Sequence, residues 1–208
     1  MQALEKIRLS EEQVETLEAG EVVSIPASWE EFEDFLSETE YRAEYHNDQI
    51  IIMGLAAFIH ELLVSQLIYL LKGFYLGKPF YVVGSNAGIR KDGRKGHYNG
   101  DVLVVKGKPV FQGKSRSIIV NPYVIIEVLL KSTFNYDLGA KRRKYEQMDT
   151  VQEIVFVDPF DNEVIVCGRT EQANVWIETA YTLPDQLINI DGFQVQLKEI
   201  FANLPEEE

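Results

Sequence analysis

The sequence predicts an α/β domain with a central mixed β-sheet flanked by helices, and three observations carry that expectation. Residues 102–105 and 124–130 are short runs of hydrocarbon side chains, interrupted by acid only at Asp101, just before the first, and at Glu127, inside the second. Such runs read as strands covered on both faces. Residues 56–72 carry Phe58, Leu62, Leu63, Leu67, Ile68 and Leu71 at helical spacing, a stripe wide enough for a helix central to the core. The third observation is size: 208 residues, 46% hydrophobic and 11% aromatic, give more than one small core needs and less than two typical domains use. One domain is expected over residues 22–208, preceded by an acidic N-terminal tail or frayed helix at 1–21 with few core residues.

The elements follow in order. Ser28 and Glu31 form a capping-box pattern ahead of Trp29, Phe32, Phe35 and Leu36 on one face, so a helix of about three turns starts there. Residues 43–53 read as strand, turn and strand, with His46, Asn47 and Asp48 at the turn. The central helix should stop at Gly73 and Gly77. A strand near 80–83 precedes a polar, basic, glycine-bearing stretch at 90–100, expected as a mobile loop beside Asp101. Asn121-Pro122 opens the Glu127 strand, and Ser132-Thr133 with Asn135-Tyr136-Asp137 supplies a cap for a helix over 141–147. Residues 153–158 and 163–167 form a hairpin around Pro159, Phe160, Asp161 and Asn162. Trp176 and the spacing of Ile188, Ile190, Phe193 and Val195 complete a β-rich end, closed by a short helix over 197–204.

Composition excludes several classes. No apolar run approaches the ~20 residues of a membrane span. The acidic start has neither the basic nor the apolar region of a secretory signal. The lone Cys167 rules out an internal disulfide, as fits a soluble protein of a reducing cytoplasm. A net charge of −13 argues against a polyanionic partner until its distribution is read. Between Gly88 and Tyr145 stand 13 Lys and Arg against 4 Asp and Glu, a local +9. That basic segment also holds both strand acids. Arg90, Lys91, Arg94, Lys95, Arg142, Arg143 and Lys144 are its candidate phosphate contacts.

The chemistry centres on Glu127. A carboxylate inside an apolar strand is costly unless a cation or metal pairs with it. A second acid, Asp101, opens the other apolar strand, and two such strands can set both acids on one side of a sheet. Hard divalent cations are held by such oxygen pairs. His60-Glu61 has no second His at i+4, so no zincin motif is present.

Asn121-Pro122-x-x-Ile125-Ile126-Glu127-Val128-Leu129, then Ser132-Thr133, Tyr136-Asp137-x-Gly139-x-Lys141 and Tyr145, resembles the Uma2 restriction-endonuclease family, abundant in cyanobacteria and part of the PD-(D/E)XK nuclease superfamily. The match runs from about Trp29 to Leu204. The resemblance implies a restriction-endonuclease-like core and metal-dependent hydrolysis of DNA phosphodiester bonds with Mg²⁺ or Mn²⁺ as cofactor. It implies Asp101 and Glu127 as catalytic residues and metal ligands, and a lysine that aids the attacking water. The superfamily lysine would stand at position 129, which is Leu129, so Lys131 and Lys141 are the candidates and Lys141 matches the family's downstream helix motif. Glu44 and Gln49 fall where the family has Tyr-Glu-x-x-x-Gly-Glu, Gln49 replacing the second Glu, and His60 falls where the family places a histidine near the active site. Gly100 replaces a family proline before Asp101.

Three functions remain open on the sequence. One is a DNA endonuclease, for which a homodimer suits the cutting of two strands. The second is a catalytically weakened nucleic-acid-binding or regulatory module. The third is an assembly protein pairing its basic segment with the acidic tail of another subunit.

Overall fold

The two apolar runs pair side by side at the centre of a six-stranded sheet, and the rest of the chain is laid around them. The structure is a computed structural model that describes residues 6–91 and 93–205. In chain order the elements are α1 (Glu11–Glu18), β1 (Val23–Pro26), α2 (Trp29–Glu38), β2 (Ala43–His46), β3 (Gln49–Ile52), α3 (Phe58–Tyr75), β4 (Phe80–Gly84), β5 (Gly88–Ile89) and β6 (Tyr98–Asn99). Then come β7 (Val102–Lys106), β8 (Ile118–Ile119), β9 (Val124–Val128), a π-helical turn (Tyr136–Lys141), α4 (Arg142–Glu146), β10 (Glu153–Asp158) and β11 (Glu163–Arg169). β12 (Trp176–Tyr181), β13 (Leu187–Ile190), β14 (Phe193–Gln196) and α5 (Leu197–Ile200) complete the chain.

The central sheet runs β12-β11-β10-β9-β7-β4. β9 and β10 are parallel and every other neighbour pair is antiparallel, so the sheet is mixed. Side chains alternate between its faces. Val102, Val104, Val124 and Ile126 meet Leu63, Leu67 and Leu71 of α3 and the β13–β14 hairpin on one face. Leu103, Val105, Ile125 and Phe156 meet Tyr145, Met148 and Val151 on the other. Asp101 and Glu127 share the parity of this second set, so the period of two aims both acids at the same side. No described helix is long and apolar enough to cross a membrane.

Several elements differ from the sequence expectations for physical reasons. Residues 11–18, expected as tail or frayed helix, form a capped helix: Ser10 accepts from the Gln13 amide, the Gln13 side chain accepts from the Ser10 amide, and Leu17 is buried. That helix joins β1, α2, β2 and β3 in a third apolar cluster, and β1 had no recognised signal in the sequence. α3 runs through Gly73 to Tyr75, because Phe74 and Tyr75 pack on Phe193 and Phe80. The stop comes at Gly77, whose φ of +76° suits glycine. Of the stretch 90–100, expected as a mobile loop, the end is tied down by the pairing of β6 with β5, with His97, Tyr98 and Asn99 buried; Asp92 lies outside the described residues. Gly100 has its own reason there: a Cβ would lie 2.7 Å from Leu103 and 3.0 Å from Ile125.

Candidate active site

Asp101 stands just before β7, and its amide donates to the Ile126 carbonyl at 3.0 Å, continuing the β7–β9 ladder. Extending that register sets Asp101 directly across from Glu127, where like charges repel. The neighbouring elements answer with cations. Arg42, ahead of β2, brings both terminal nitrogens within 3.2 Å of Asp101 Oδ1. His60 Nε2 of α3 lies 3.1 Å from Asp101 Oδ2, which also accepts from the Val128 amide at 2.9 Å. Burial alone would raise the Asp101 carboxyl, but His60, Arg42 and Lys141 hold it down at about 2. Burial would lower His60, and Asp101 outweighs it, so the imidazole is raised.

Lys141 reaches the site from the far side. The π-helical turn widens the helix so that Asp137, Lys141 and Tyr145, spaced by four, point inward. Lys141 Nζ lies 3.0 Å from Glu127 Oε1, 3.0 Å from Glu44 Oε1 and 3.2 Å from Asp137 Oδ1, and it donates to the Asn99 carbonyl at 3.0 Å. All four side chains are buried. Burial would discharge the ammonium, yet the carboxylates of Asp137, Glu127 and Glu44 outweigh it and raise Lys141, which stays charged. Glu127 is pushed well above the usual carboxyl range by burial, and the negative neighbours Asp101, Asp137 and Glu44 add to this while Lys141 opposes it.

The tyrosines complete the cage. Tyr145 donates to Glu127 Oε1 at 2.6 Å and Tyr136 donates to Glu44 Oε2 at 2.8 Å, while the Asn99 amide donates to Glu44 Oε1 at 2.9 Å. A cavity of about 40 Å³ between Arg42, His60, Asp101, Glu127, Asp137 and Lys141 is the size of one water or small ion. The pocket therefore holds four carboxylates against two permanent cations. Asp137 Oδ1 is buried, near the ammonium but without a hydrogen bond of good geometry. Among the described residues no three His, Cys, Asp or Glu side chains converge as metal ligands do; Lys141 lies among Glu44, Glu127 and Asp137, and Arg42 is paired with Asp101.

The structure thus brings together Asp101, Glu127, Lys141, Glu44 and His60. It also brings in Arg42, Asp137, Tyr136 and Tyr145, which the sequence did not mark as site residues. Asp137, Tyr136 and Tyr145 belong to the motif that carries the family resemblance; Arg42 has no such signal. Gln49 does not join: it is exposed at the hairpin turn, opposite His46 and two pairs along the ladder from Glu44. Lys131 is exposed over the Phe160 ring.

The expected phosphate contacts divide. Arg90 is corrected from surface cation to buried strut, its guanidinium 2.7 Å from Glu33, bonded to His97 and stacked on Trp29. Arg142 is engaged by Glu146 at 2.9 Å and Glu178 at 2.6 Å. Lys91 donates to the Gln147 carbonyl and exposed Lys95 lies 3.5 Å from Glu30. Arg94 and Arg143 are exposed, and Lys144 is half-buried. Burial, then Lys144 and Arg143, hold His46 below its ordinary value, so both cations act near a ring that packs edge-on against Tyr136.

The Uma2 family profile, described as "Putative restriction endonuclease", matches residues 29–203. The chain belongs to the Uma2 family. In three dimensions this Uma2 chain is similar to the crystal structure of "a putative nuclease belonging to DUF820" from Anabaena variabilis, with a TM-score of 0.69 and 18% identity over 85% of this chain and 98% of that one. Likeness at that identity speaks for a shared fold. The "Uncharacterized protein sll1609" of Synechocystis sp. is 25% identical over 130 residues, 62% of this chain and 70% of that protein.

Proposed function

We propose that this chain is a metal-dependent endonuclease that hydrolyses DNA phosphodiester bonds at the Asp101–Glu127 pocket. The observation that carries the reading is the excess of buried acid: Glu44, Asp101, Glu127 and Asp137 face only Arg42, Lys141 and a titratable His60. Such an arrangement is expensive to desolvate and is built where charge is used. The donor chemistry fits a divalent cation once Arg42 gives up Asp101. Glu127 is held above its normal range by burial and by its acidic neighbours, the Asp137 oxygen lacks a hydrogen bond, and all the free donors are hard oxygens. Asp101 and Glu127 would hold Mg²⁺ or Mn²⁺, which supplies charge neutralisation at phosphate and a more acidic water.

The chain's own groups do the rest. Lys141, kept cationic among three carboxylates, orients a water at Glu127 or offsets charge developing on the phosphate. Glu44 and Tyr136 fix the ammonium from behind, and Tyr145 fixes Glu127. Arg94, Arg143 and Lys144 contact the DNA backbone, and a homodimer would present two such sites to two strands. A catalytically weakened binding module is the second reading, and the complete internal pairing of Asp101 favours it.

Isothermal titration with Mn²⁺ tests the site. Asp101→Asn and Glu127→Gln each remove a charged oxygen at nearly constant volume, so each should weaken Mn²⁺ binding. Binding equal to the parent in both variants would remove the shared site.

A further inference from the structure

Asp101 is closed to any further cation as it stands. A carboxylate accepts in about four directions, two per oxygen. Both terminal nitrogens of Arg42 lie 3.2 Å from Oδ1, and His60 Nε2 and the Val128 amide take Oδ2 at 3.1 and 2.9 Å. Val128 is backbone and His60 is fixed on α3 with 2% exposure. Arg42 is the partner free to leave. Its side chain is 29% exposed, it stands on the irregular segment between α2 and β2, and its second link, to the Asn99 carbonyl, is long at 3.4 Å.

Two more features show where it can go. Arg42 lines both the 40 Å³ cavity at Asp101 and an open groove of about 310 Å³, bordered by Tyr41, Ser85, Asn86, Asn99 and Ser117. Its Nε is buried without a hydrogen-bond partner, so the side-on fork of Nε and a terminal nitrogen is not satisfied in this position. A phosphodiester in the groove offers two oxygens that match such a fork.

Resting on the nuclease reading above, we propose that Arg42 is a positioning residue that exchanges between two anions, Asp101 in the metal-free protein and a backbone phosphate of the bound DNA once a divalent cation takes Asp101. The guanidinium then competes with the cation for Asp101, and a phosphate that takes it up removes the competitor. Metal and DNA binding become coupled, each strengthening the other by the same factor.

Isothermal titration of Mn²⁺ into the DNA-free protein reads the first half. Arg42→Gln should bind Mn²⁺ about tenfold more tightly than the parent, and adding Asp101→Asn to that variant should abolish the gain. Fluorescence anisotropy with a short hydrolysis-resistant phosphorothioate duplex reads the second half. The parent's duplex affinity should rise about tenfold on adding Mn²⁺, and the rise should shrink in Arg42→Gln because no guanidinium is released. If Arg42→Gln does not fold, Arg42→Lys serves, since it keeps a cation and loses the fork: tighter Mn²⁺ binding with a smaller Mn²⁺-induced gain in duplex affinity is expected. A variant that binds Mn²⁺ no better than a parent which itself binds through Asp101 overturns the exchange and leaves the nuclease reading standing. Absence of Mn²⁺ binding in parent and variants alike overturns both.

Discussion

The parallel strands β9 and β10 end in two polar clusters that handle acid in opposite ways, half-buried at one end and fully buried at the other. Where they begin, beside Val124 and Glu153, Asp191 accepts from the hydroxyls of Tyr75 at 3.1 Å and Tyr123 at 2.9 Å, and Glu153 accepts from the Asp191 amide at 2.8 Å. Neutral donors satisfy two carboxylates there, with Lys106 at the rim reaching only the Tyr123 hydroxyl. At the far end Glu127 shares the Lys141 ammonium with Glu44 and Asp137, and Asp101 beside it is paired with Arg42 and His60. Glu153 and Asp191 are half-buried, and hydroxyls and an amide suffice for them. Burying Glu44, Asp101, Glu127 and Asp137 together costs far more desolvation, an excess in keeping with the proposed site.

The largest expected effect falls on the charged cluster. Lys141→Met leaves Glu44, Glu127 and Asp137 without their shared cation, and removing one partner of a buried ionic cluster costs about 3–5 kcal/mol, measurable by urea unfolding. Millimolar Mn²⁺ should return part of that stability, since a ligand of the folded state alone stabilises it. A loss near zero would make the two clusters alike.

A smaller effect of distinctive pH dependence belongs to the other cluster. Burial raises Glu153 from its ordinary 4.5 to about 7, against the Asp191 amide that opposes the shift. The unfolded chain releases this proton first, so stability falls as pH rises between those values and the penalty is complete above the higher one. Glu153→Gln should therefore raise the Tm at pH 8 and leave it nearly unchanged at pH 4. Thermal melts at the two values check it; an equal shift at both would mean that the effect does not come from the titration of Glu153.

The smallest effect on stability is expected outside both clusters. Arg143→Gln with Lys144→Gln removes cations with no ion pair among the described residues and should leave the Tm within a degree or two, as surface changes do. The slope of log K for a DNA duplex against log salt should flatten by about one unit for every phosphate that these cations neutralise in the parent. An unchanged slope shifts the phosphate surface to Arg94 and its neighbours.

Much of the fold was legible because its signals are local. The capping box of Ser28 and Glu31 lies within four residues, the β2–β3 turn falls on Asn47 and Asp48 with φ of 50° and 57°, and the apolar runs of β7 and β9 are continuous. Lys141 was marked by its match to the family's downstream helix motif, and it does approach Glu127. Arg42 was not legible, since its partner Asp101 lies 59 positions away and nothing near it in sequence marks the pairing. Distance in sequence also hid the fate of Arg90, which is held by Glu33, and of Arg142, which is held by Glu178 on β12. Local charge read both as phosphate contacts. The π-helical turn left no compositional trace either, yet it aligns Asp137, Lys141 and Tyr145.

Single-turnover cleavage of a DNA duplex by the parent and by Glu127→Gln, with Mn²⁺, with Mg²⁺ and with EDTA, tests the assignment of the acidic pocket most directly. The expected result is cleavage by the parent with a divalent ion, none with EDTA, and a rate at least about a hundredfold lower for Glu127→Gln, the usual scale for losing a charge-stabilising group. Equal rates for parent and variant, or no cleavage by the parent with either ion, would contradict it.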